Sequence, residues 1–260
     1  KLGQRGVTDL LAISFSSNDI VGHAKGPDSP EVADISVRTD QTLGRLFDYL
    51  DRTVGMANVA VVLSADHGVA PVPEVNTGRK MPGGRMKGME LFDTIDLALD
   101  KAFGAGDWIL ATAGTSPYFN WDLIKGKNIT PAQVQEVAAA AAYSVPRVVR
   151  VLTRDQLLKG QAPPDRFSRR AAESFFPRRS GDLEIFIEPY WMRSSGGTTH
   201  GAPWLYDSHV PLILMGPGIR TGTYHREVAQ NDIAPTLTTL LEVETPSGSA
   251  GKVLLEAVQH

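Results

Sequence analysis

The chain has 260 residues and contains no cysteine, which excludes disulfides, thiolate metal sites and cysteine nucleophiles. This absence does not identify a compartment, because an exported protein can also lack cysteine. The longest apolar runs, such as residues 59–63 and 137–142, fall far short of the ~20 residues that a membrane-spanning helix needs. Neither sign of charge dominates, since 26 Lys and Arg stand against 29 Asp and Glu, for a net charge of −3. The sequence therefore predicts no membrane span and no binding of a nucleic acid duplex.

The remaining composition is that of an ordinary globular domain, with 42% hydrophobic and 21% charged residues. The length fits one large α/β domain, or one domain that carries an insertion. The first residue is Lys1 rather than Met. We therefore expect the chain to be a processed or truncated piece of a longer protein.

The first third of the chain alternates between strand and helix patterns. An apolar run at residues 9–15 predicts a strand, and a polar, glycine-containing loop follows it. Ser29, followed by Pro and Glu, predicts the start of an amphipathic helix that continues to about Thr53. The β-branched run at residues 59–63 is typical of a strand buried on both faces. A strand, a crossover helix and a second strand predict parallel pairing of the two strands in one sheet.

The end of the chain returns to this pattern, whereas the middle differs. A strand is predicted at residues 210–215 and a helix at 232–241. In the middle, helix patterns at 89–103 and 131–142 alternate with short strand candidates at 108–113, 116–121 and 147–152. The predicted fold is α/β, a mainly parallel sheet flanked by helices. Residues 1–78 and 182–260 form its core in this prediction, and residues 79–181 form an inserted α+β cap.

Three histidine-containing motifs lie next to predicted strands. They are Asp19-Ile20-Val21-Gly22-His23, Asp66-His67-Gly68 and His200-Gly201. The carboxyl ends of parallel strands share one edge of the sheet, so Asp19 and Asp66 should approach each other there. Two carboxylates in one crevice repel unless a cation lies between them. Because imidazole beside carboxylate suits zinc, iron or manganese, the motifs together predict a divalent metal site.

Each residue taken singly has an ordinary structural interpretation. An Asp after a strand usually forms a turn or caps a helix, and an isolated His is more often a hydrogen-bonded polar residue than a ligand. The joint pattern is what favours a metal site. The hydroxyls of Ser64, Thr198 and Thr199 lie beside candidate ligands, but such a hydroxyl more often caps or hydrogen-bonds a neighbour than acts as a nucleophile.

With the tail Asn-Asp-Ile-Ala-Pro-Thr at residues 231–236, these motifs resemble the alkaline phosphatase superfamily. The similarity is to its type I phosphodiesterase and nucleotide pyrophosphatase branch and to the related threonine-dependent bacterial alkaline phosphatases. It runs through nearly the whole chain but covers only about the C-terminal half of such an enzyme. The wide gap between the second and third motifs fits the cap that this branch inserts there. The resemblance implies an alkaline phosphatase-like core.

The resemblance also implies a site with two divalent metal ions, most often zinc. By position, Asp19, His23 and His200 would bind one ion. Asp66 and His67 would bind the other. In the family, a further Asp ligand and the Thr or Ser nucleophile lie far upstream of the first motif. No residue of this chain is therefore assigned as the nucleophile, and the second ion is incompletely liganded here.

The implied activity is hydrolysis of a small-molecule phosphate ester, either a monoester or a diester. Because the nucleophile would lie outside this chain, we expect the chain alone to be inactive. Family habit implies a periplasmic or secreted protein. The sequence does not indicate an oligomeric state.

Other interpretations stay open. Sulfatases and cofactor-independent phosphoglycerate mutase share this core, although the acidic sites of sulfatases bind calcium and paired histidines favour transition metals. A non-catalytic metal-binding domain would keep the ligands without turnover. An α/β domain with incidental histidines would not bind metal, and its stability would not respond to a chelator.

Overall fold

The computed structural model describes residues 1–86 and 90–259. The helices are α1 (Ser17–Lys25), α2 (Pro30–Thr53), α3 (Pro73–Gly78), α4 (Glu90–Phe103), α5 (Trp121–Gly126), α6 (Pro131–Ser144), α7 (Arg154–Leu158), α8 (Arg166–Ser174), α9 (Leu205–Ser208) and α10 (Ile233–Leu240). The strands are β1 (Val61–Ser64), β2 (Gly84–Arg85), β3 (Ile109–Ala113), β4 (Ser116–Phe119), β5 (Val148–Thr153), β6 (Leu183–Ile187), β7 (Trp191–Met192) and β8 (Leu212–Met215). The first residue of the helix pattern at 89–103 lies outside the described residues.

The chain divides into two compact units. The first contains residues 1–69 and 206–260, and the second contains residues 70–205. The predicted division into a core (1–78 and 182–260) and a cap (79–181) stays a prediction. In the described residues, β1 pairs with β8 in the first unit, and β2–β7, β3–β4 and β5–β6 pair in the second. Of these ladders, β2–β7 is parallel and the others are antiparallel.

Helix α2 of the first unit begins where its sequence predicts. The Ser29 side chain accepts a hydrogen bond from the Val32 backbone N–H at 3.2 Å, and Pro30 occupies the first turn. The helix ends at Thr53, as predicted. None of its residues is buried, although its apolar positions recur at helical spacing. An amphipathic helix normally buries its apolar face, so the described residues cover this face only in part.

The predicted strand at residues 9–15 does not form, and the parallel pairing expected of it is wrong. No strand of the described chain pairs with this run, and its Leu10 is 71% exposed. The predicted strand at 59–63 appears as β1 but pairs antiparallel with β8, with Leu63 opposite Ile213. Both of these side chains are exposed, so burial on both faces is also wrong. An apolar run becomes a buried strand only where neighbouring strands satisfy its backbone groups and cover its side chains.

The hydrophobic core lies in the second unit. Leu91, Ile95 and Leu99 on α4 pack with Val134 and Ala138 on α6 in one buried cluster. The predicted strands and the second helix pattern of this region are confirmed as β3, β4, β5 and α6, and α4 covers the described part of the first pattern. In the first unit, the predicted strand and helix near the end of the chain are confirmed as β8 and α10. Among the described helices, none has both the length and the apolar character needed to cross a bilayer.

Candidate metal centre

The first motif lies on helix α1, where the sequence predicted a loop. Asp19 is in its first turn and His23 in its last, four residues apart, so both side chains lie on one face. His23 Nε2 is 3.4 Å from Asp19 Oδ1, and the two side chains are 38% and 42% exposed. The predicted loop is therefore wrong at this motif, and the helix holds the carboxylate and the imidazole on one face.

A polar side chain anchors α1 to α2. Asn18, beside Asp19, donates from Nδ2 to Ser36 Oγ at 3.0 Å and accepts from Thr39 Oγ1 at 2.8 Å. Ser36 and Thr39 lie one turn apart on α2, so the amide contacts that helix at two points. This double contact fixes the rotation of α1, and with it the direction in which its Asp-His face points.

The second motif follows β1, and its imidazole reaches the first motif. His67 Nε2 lies 3.9 Å from Asp19 Oδ1 and 3.6 Å from Asp66 Oδ2. His67 Nδ1 lies 2.8 Å from the Gly68 carbonyl oxygen. Because a carbonyl oxygen only accepts, this contact favours the tautomer with hydrogen on Nδ1 and leaves the Nε2 lone pair for a ligand bond.

Gly68 is required by the backbone of a later segment. A Cβ at this position would lie 2.3 Å from the Tyr206 carbonyl oxygen. The Gly68 N–H donates to the Asp207 carbonyl oxygen at 2.6 Å. A backbone carbonyl is therefore the close neighbour that excludes a side chain at this position.

The same contact places Asp207, which the sequence analysis did not select, beside the site. Asp207 is buried, and a carboxylate oxygen of this residue lies within 4.8 Å of a ring nitrogen of His67. Its only sequence signal was a position between His200 and His209, shortly before a strand. The side chains of Asp19, Asp66 and Asp207 thus surround His67 with carboxylates, an arrangement that favours a cation.

The tail motif at residues 231–236 has a structural role. Buried Asp232 accepts from the backbone N–H groups of Ala229 and Lys252 at 2.9 and 2.7 Å. Thr236 is completely buried; its hydroxyl donates to the Asp232 carbonyl at 2.6 Å and accepts from the Leu254 N–H at 3.0 Å. These hydrogen bonds connect the C-terminal segment to α10. The motif at residues 231–236 therefore stabilises the fold, and these contacts give it no role in the metal site.

His200 lies in the second unit, in a segment held by one arginine. The five N–H donors of Arg85 are all engaged. Two bind Glu74 at 2.7 and 2.8 Å, two bind the carbonyl and hydroxyl oxygens of Ser194 at 2.9 and 3.1 Å, and one binds the Gly197 carbonyl at 2.8 Å. That His200 joins the ligands of the first unit stays a prediction.

Two of the three hydroxyls weighed as nucleophiles, those of Thr198 and Ser64, bind backbone carbonyls. Thr198 is buried and donates to the Ala70 carbonyl at 2.6 Å. Ser64 Oγ lies 3.0 Å from the Pro211 carbonyl and 3.3 Å from that of Ala65. Each hydroxyl hydrogen is therefore directed at a carbonyl oxygen, as expected of a side chain that orders a loop beside a ligand.

The donor groups of the first unit fit a transition-metal site. Ligand atoms bound to one tetrahedral zinc at about 2.0–2.2 Å lie about 3.3–3.6 Å apart. The separations from imidazole nitrogen to carboxylate oxygen at Asp19–His23 and Asp66–His67 are 3.4 and 3.6 Å. A site that mixes imidazole and carboxylate donors suits zinc, iron or manganese better than calcium or magnesium.

The chain matches known sequences over nearly its whole length. The type I phosphodiesterase / nucleotide pyrophosphatase family matches residues 2–208. The chain is 33% identical over 260 residues to alkaline phosphatase PafA of Elizabethkingia meningoseptica, covering 99% of this chain and 47% of PafA. It is 34% identical over 260 residues to alkaline phosphatase PhoV of Synechococcus elongatus, covering 100% of this chain and 46% of PhoV. The chain thus spans about half the length of these relatives.

Solved structures show the same likeness. The crystal structure of wild-type PafA matches with a TM-score of 0.91 at 34% identity, over 99% of this chain and 49% of PafA. Human ectonucleotide pyrophosphatase / phosphodiesterase 5 matches with a TM-score of 0.58 at 18% identity, over 88% of this chain and 53% of the human protein. The second match shows the fold alone. The predicted superfamily and the α/β class with an alkaline phosphatase-like core are confirmed.

Proposed function

Because the chain belongs to the type I phosphodiesterase / nucleotide pyrophosphatase family, we propose that it forms the metal-binding part of a phosphoric ester hydrolase. One observation carries the proposal. Asp19 Oδ1 lies 3.4 Å from His23 Nε2 and 3.9 Å from His67 Nε2, although His67 is far from the other two residues in sequence. A carboxylate between two imidazoles is a donor set for a divalent transition metal.

The ligand groups would divide between two metal ions. Asp19 and His23, with His200, would hold one ion, and Asp66 and His67 would hold the other. The donor separations support this assignment for the residues of the first unit, and the sequence position of His200 supports the rest. Zinc is favoured because its ligands are imidazole and carboxylate at these spacings. Such a pair of ions supplies Lewis-acid stabilisation of the charge on a transferring phosphoryl group.

The residues of the chain orient and charge the site. Helix α1 holds Asp19 and His23 on one face, and Asn18 fixes the rotation of that helix. The Gly68 carbonyl keeps the hydrogen of His67 on Nδ1, so that Nε2 points its lone pair at the site. Gln230 donates to the Ala65 carbonyl and steadies the loop that carries Asp66 and His67. Together these contacts preorganise the ligands before any ion binds.

The nucleophile comes from outside this chain in our proposal. The hydroxyl hydrogens of Ser64 and Thr198 are directed at backbone carbonyls. No hydrophobic side chain of residues 1–69 is buried, and the chain spans about half the length of its relatives. A large uncovered apolar surface marks an interface. We propose that the rest of a longer protein covers it and supplies the attacking group, so that the isolated chain is inactive.

Phosphate monoesters are the proposed substrates. PafA and PhoV, two relatives named as alkaline phosphatases, are 33% and 34% identical over essentially the whole chain. The phosphodiesterase-named human structure is only 18% identical. Diesters are the second candidate, supported by the family that matches residues 2–208. A periplasmic or secreted location, carried over from family habit, completes the proposal.

The test uses the full-length protein, p-nitrophenyl phosphate and bis-p-nitrophenyl phosphate, with metal content measured by elemental analysis. We expect bound zinc, turnover that a chelator abolishes, and preference for the monoester. His23→Ala should lose metal and turnover, whereas the control His225→Ala, at an exposed histidine of the first unit, should keep both. Turnover by metal-free protein, or a fully active His23→Ala, would refute the assignment.

A further inference from the structure

The second unit contains an open cleft of about 330 Å³. Its walls are the β3–β4 hairpin, the end of α8, the turn at residues 176–180 and the start of β6. Ligand pockets span roughly 300–1,000 Å³, so the cleft has room for a small molecule. No residue that we assign to the metal centre lines it.

A carboxylate lies in one wall of the cleft. Glu184 stands in β6 between Leu183 and Ile185, which are both buried in the core, so strand alternation turns Glu184 to the opposite face. Its Oε2 accepts a hydrogen bond from Ser116 Oγ at 2.9 Å. Burial raises the pKa of Glu184, and among the described residues no cation pairs with it. A desolvated carboxylate of this kind is stabilised by a cation that enters from the cleft.

Four hydroxyls line the cleft, and three of them give their hydrogens to protein acceptors; the fourth, Ser180, accepts from the Phe176 N–H at 2.9 Å. Ser116 gives its hydrogen to Glu184. Tyr118 Oη donates to the Arg179 carbonyl at 2.8 Å, and Ser174 Oγ donates to the Arg170 carbonyl at 2.8 Å. The oxygen lone pairs of these groups remain for a ligand. A wall of acceptors with one carboxylate favours a ligand group that carries several N–H donors and a positive charge, such as an ammonium.

A cation lies at the exposed edge of the same cleft. The Arg179 guanidinium stacks 4.5 Å from the centre of the Phe176 ring, and the N–H groups of Arg179 and Ser180 both donate to the Phe176 carbonyl at 2.9 Å. This turn fixes the start of the arginine side chain. In the described chain Arg179 forms no ion pair, so its fork of donors is available to an anionic group.

We propose that this cleft binds a small zwitterion, whose ammonium contacts Glu184 and whose anionic group contacts Arg179, with a short aliphatic spacer beside Phe176. The inference goes beyond the proposed function, since it requires neither a metal ion nor phosphoryl transfer. The desolvated Glu184 carboxylate distinguishes the zwitterion from a neutral sugar, which would leave that carboxylate without a cation.

The test measures binding to the full-length protein by calorimetry. The probes are three molecules of similar length: 4-aminobutyrate, which carries both charges, butyrate, which carries the acid alone, and butylamine, which carries the amine alone. We expect 4-aminobutyrate to bind at least ~10-fold more tightly than either of the others, because each end adds a charge-assisted hydrogen bond.

Four variants locate the site. Glu184→Gln keeps the Ser116 contact and should reduce 4-aminobutyrate binding to that of butyrate. Arg179→Gln should reduce it to that of butylamine. Glu173→Gln and Arg178→Gln, at exposed neighbours outside the cleft lining, should bind as the wild type does. Failure of all three probes to bind, no preference for 4-aminobutyrate, or equal losses in the control variants would each overturn the proposal.

Discussion

Replacing Arg85 by Gln tests whether the segment before His200 is held in place for function. Arg85 directs all five of its N–H donors to Glu74, Ser194 and Gly197. Gly197 is three residues before His200. Gln at position 85 is shorter and carries two N–H donors, so it cannot span these partners. We expect the segment of residues 194–200 to loosen while the core of the second unit stays folded.

The free-energy cost of Arg85→Gln depends on how well water replaces each lost hydrogen bond. Glu74 is 63% exposed, so water replaces its partner and the surface ion pair contributes little. The bonds from Arg85 to the Ser194 and Gly197 carbonyls are part-buried, and losing them costs about 1 kcal/mol each. A total of about 2 kcal/mol corresponds to roughly 30-fold in an equilibrium constant. Because ligands held poorly bind metal less well, zinc affinity should fall by roughly 10- to 100-fold.

The assay is a competition titration of zinc with a fluorescent chelator on the full-length protein, together with turnover at saturating zinc. Arg85→Gln should need more zinc for half-maximal turnover, and excess zinc should restore much of the rate. Arg85→Lys should be intermediate, since it keeps the charge but not the planar fork. Arg178→Gln, at an exposed arginine, is the control. A wild-type zinc titration curve for Arg85→Gln would refute the reasoning.

Three further changes have defined outcomes. Gly68→Ala would bring a Cβ to 2.3 Å from the Tyr206 carbonyl oxygen, so we expect a loss of about 2 kcal/mol or more in unfolding free energy and weaker zinc binding. Thr236→Val leaves the buried Leu254 N–H without its acceptor, which should cost about 1–3 kcal/mol in chemical denaturation. In thermal melts, Glu184→Gln should stabilise the protein at about pH 7 but not at about pH 4. Burial raises the pKa of Glu184, so the native state holds the proton of this carboxyl more tightly than the unfolded state does. The stability of the wild type therefore falls as the pH rises through that pKa, and the variant has no such loss.

Matched controls separate these effects from general damage. Gly44→Ala lies on α2 where a Cβ meets nothing within 4 Å, so it should be neutral or stabilising. Thr42→Val removes a hydroxyl that donates to the Arg38 carbonyl and accepts from Arg45, both in exposed hydrogen bonds, and should change stability little because water replaces these partners. A loss in Gly44→Ala as large as in Gly68→Ala would contradict the clash argument. Equal losses in the two threonine variants would contradict the argument from the buried N–H.

Local signals predicted four of the described helices, which are α2, α4, α6 and α10. Ser29 and Thr130 cap α2 and α6 through their own side chains, so a few adjacent residues determine each start. The first site motif was harder, because the glycine and the β-branched residues between Asp19 and His23 lower helix propensity. The contacts of Asn18 with α2 supply what propensity does not. A contact between elements therefore decided that the motif is helical.

The apolar patterns of the sequence predicted more burial than the structure shows. Residues 9–15 and the apolar face of α2 have the patterns of buried elements, yet none of their residues is buried in this chain. A pattern shows that a segment can be covered, but the covering partner is a property of the fold. Asp207 shows the converse, since it is buried close to His67 with only a weak sequence signal.

The sequence alone determined which side chains are able to hold a metal, because donor chemistry is a property of the residue type. It also placed Asp66 and His67 together, since they are adjacent. Only the tertiary structure decided that Asp19 reaches His67 at 3.9 Å and that backbone packed on Gly68 brings Asp207 near. The physical reason is that these distances depend on how a helix, a strand end and a distant segment pack, and such contacts arise between elements and not within any one of them.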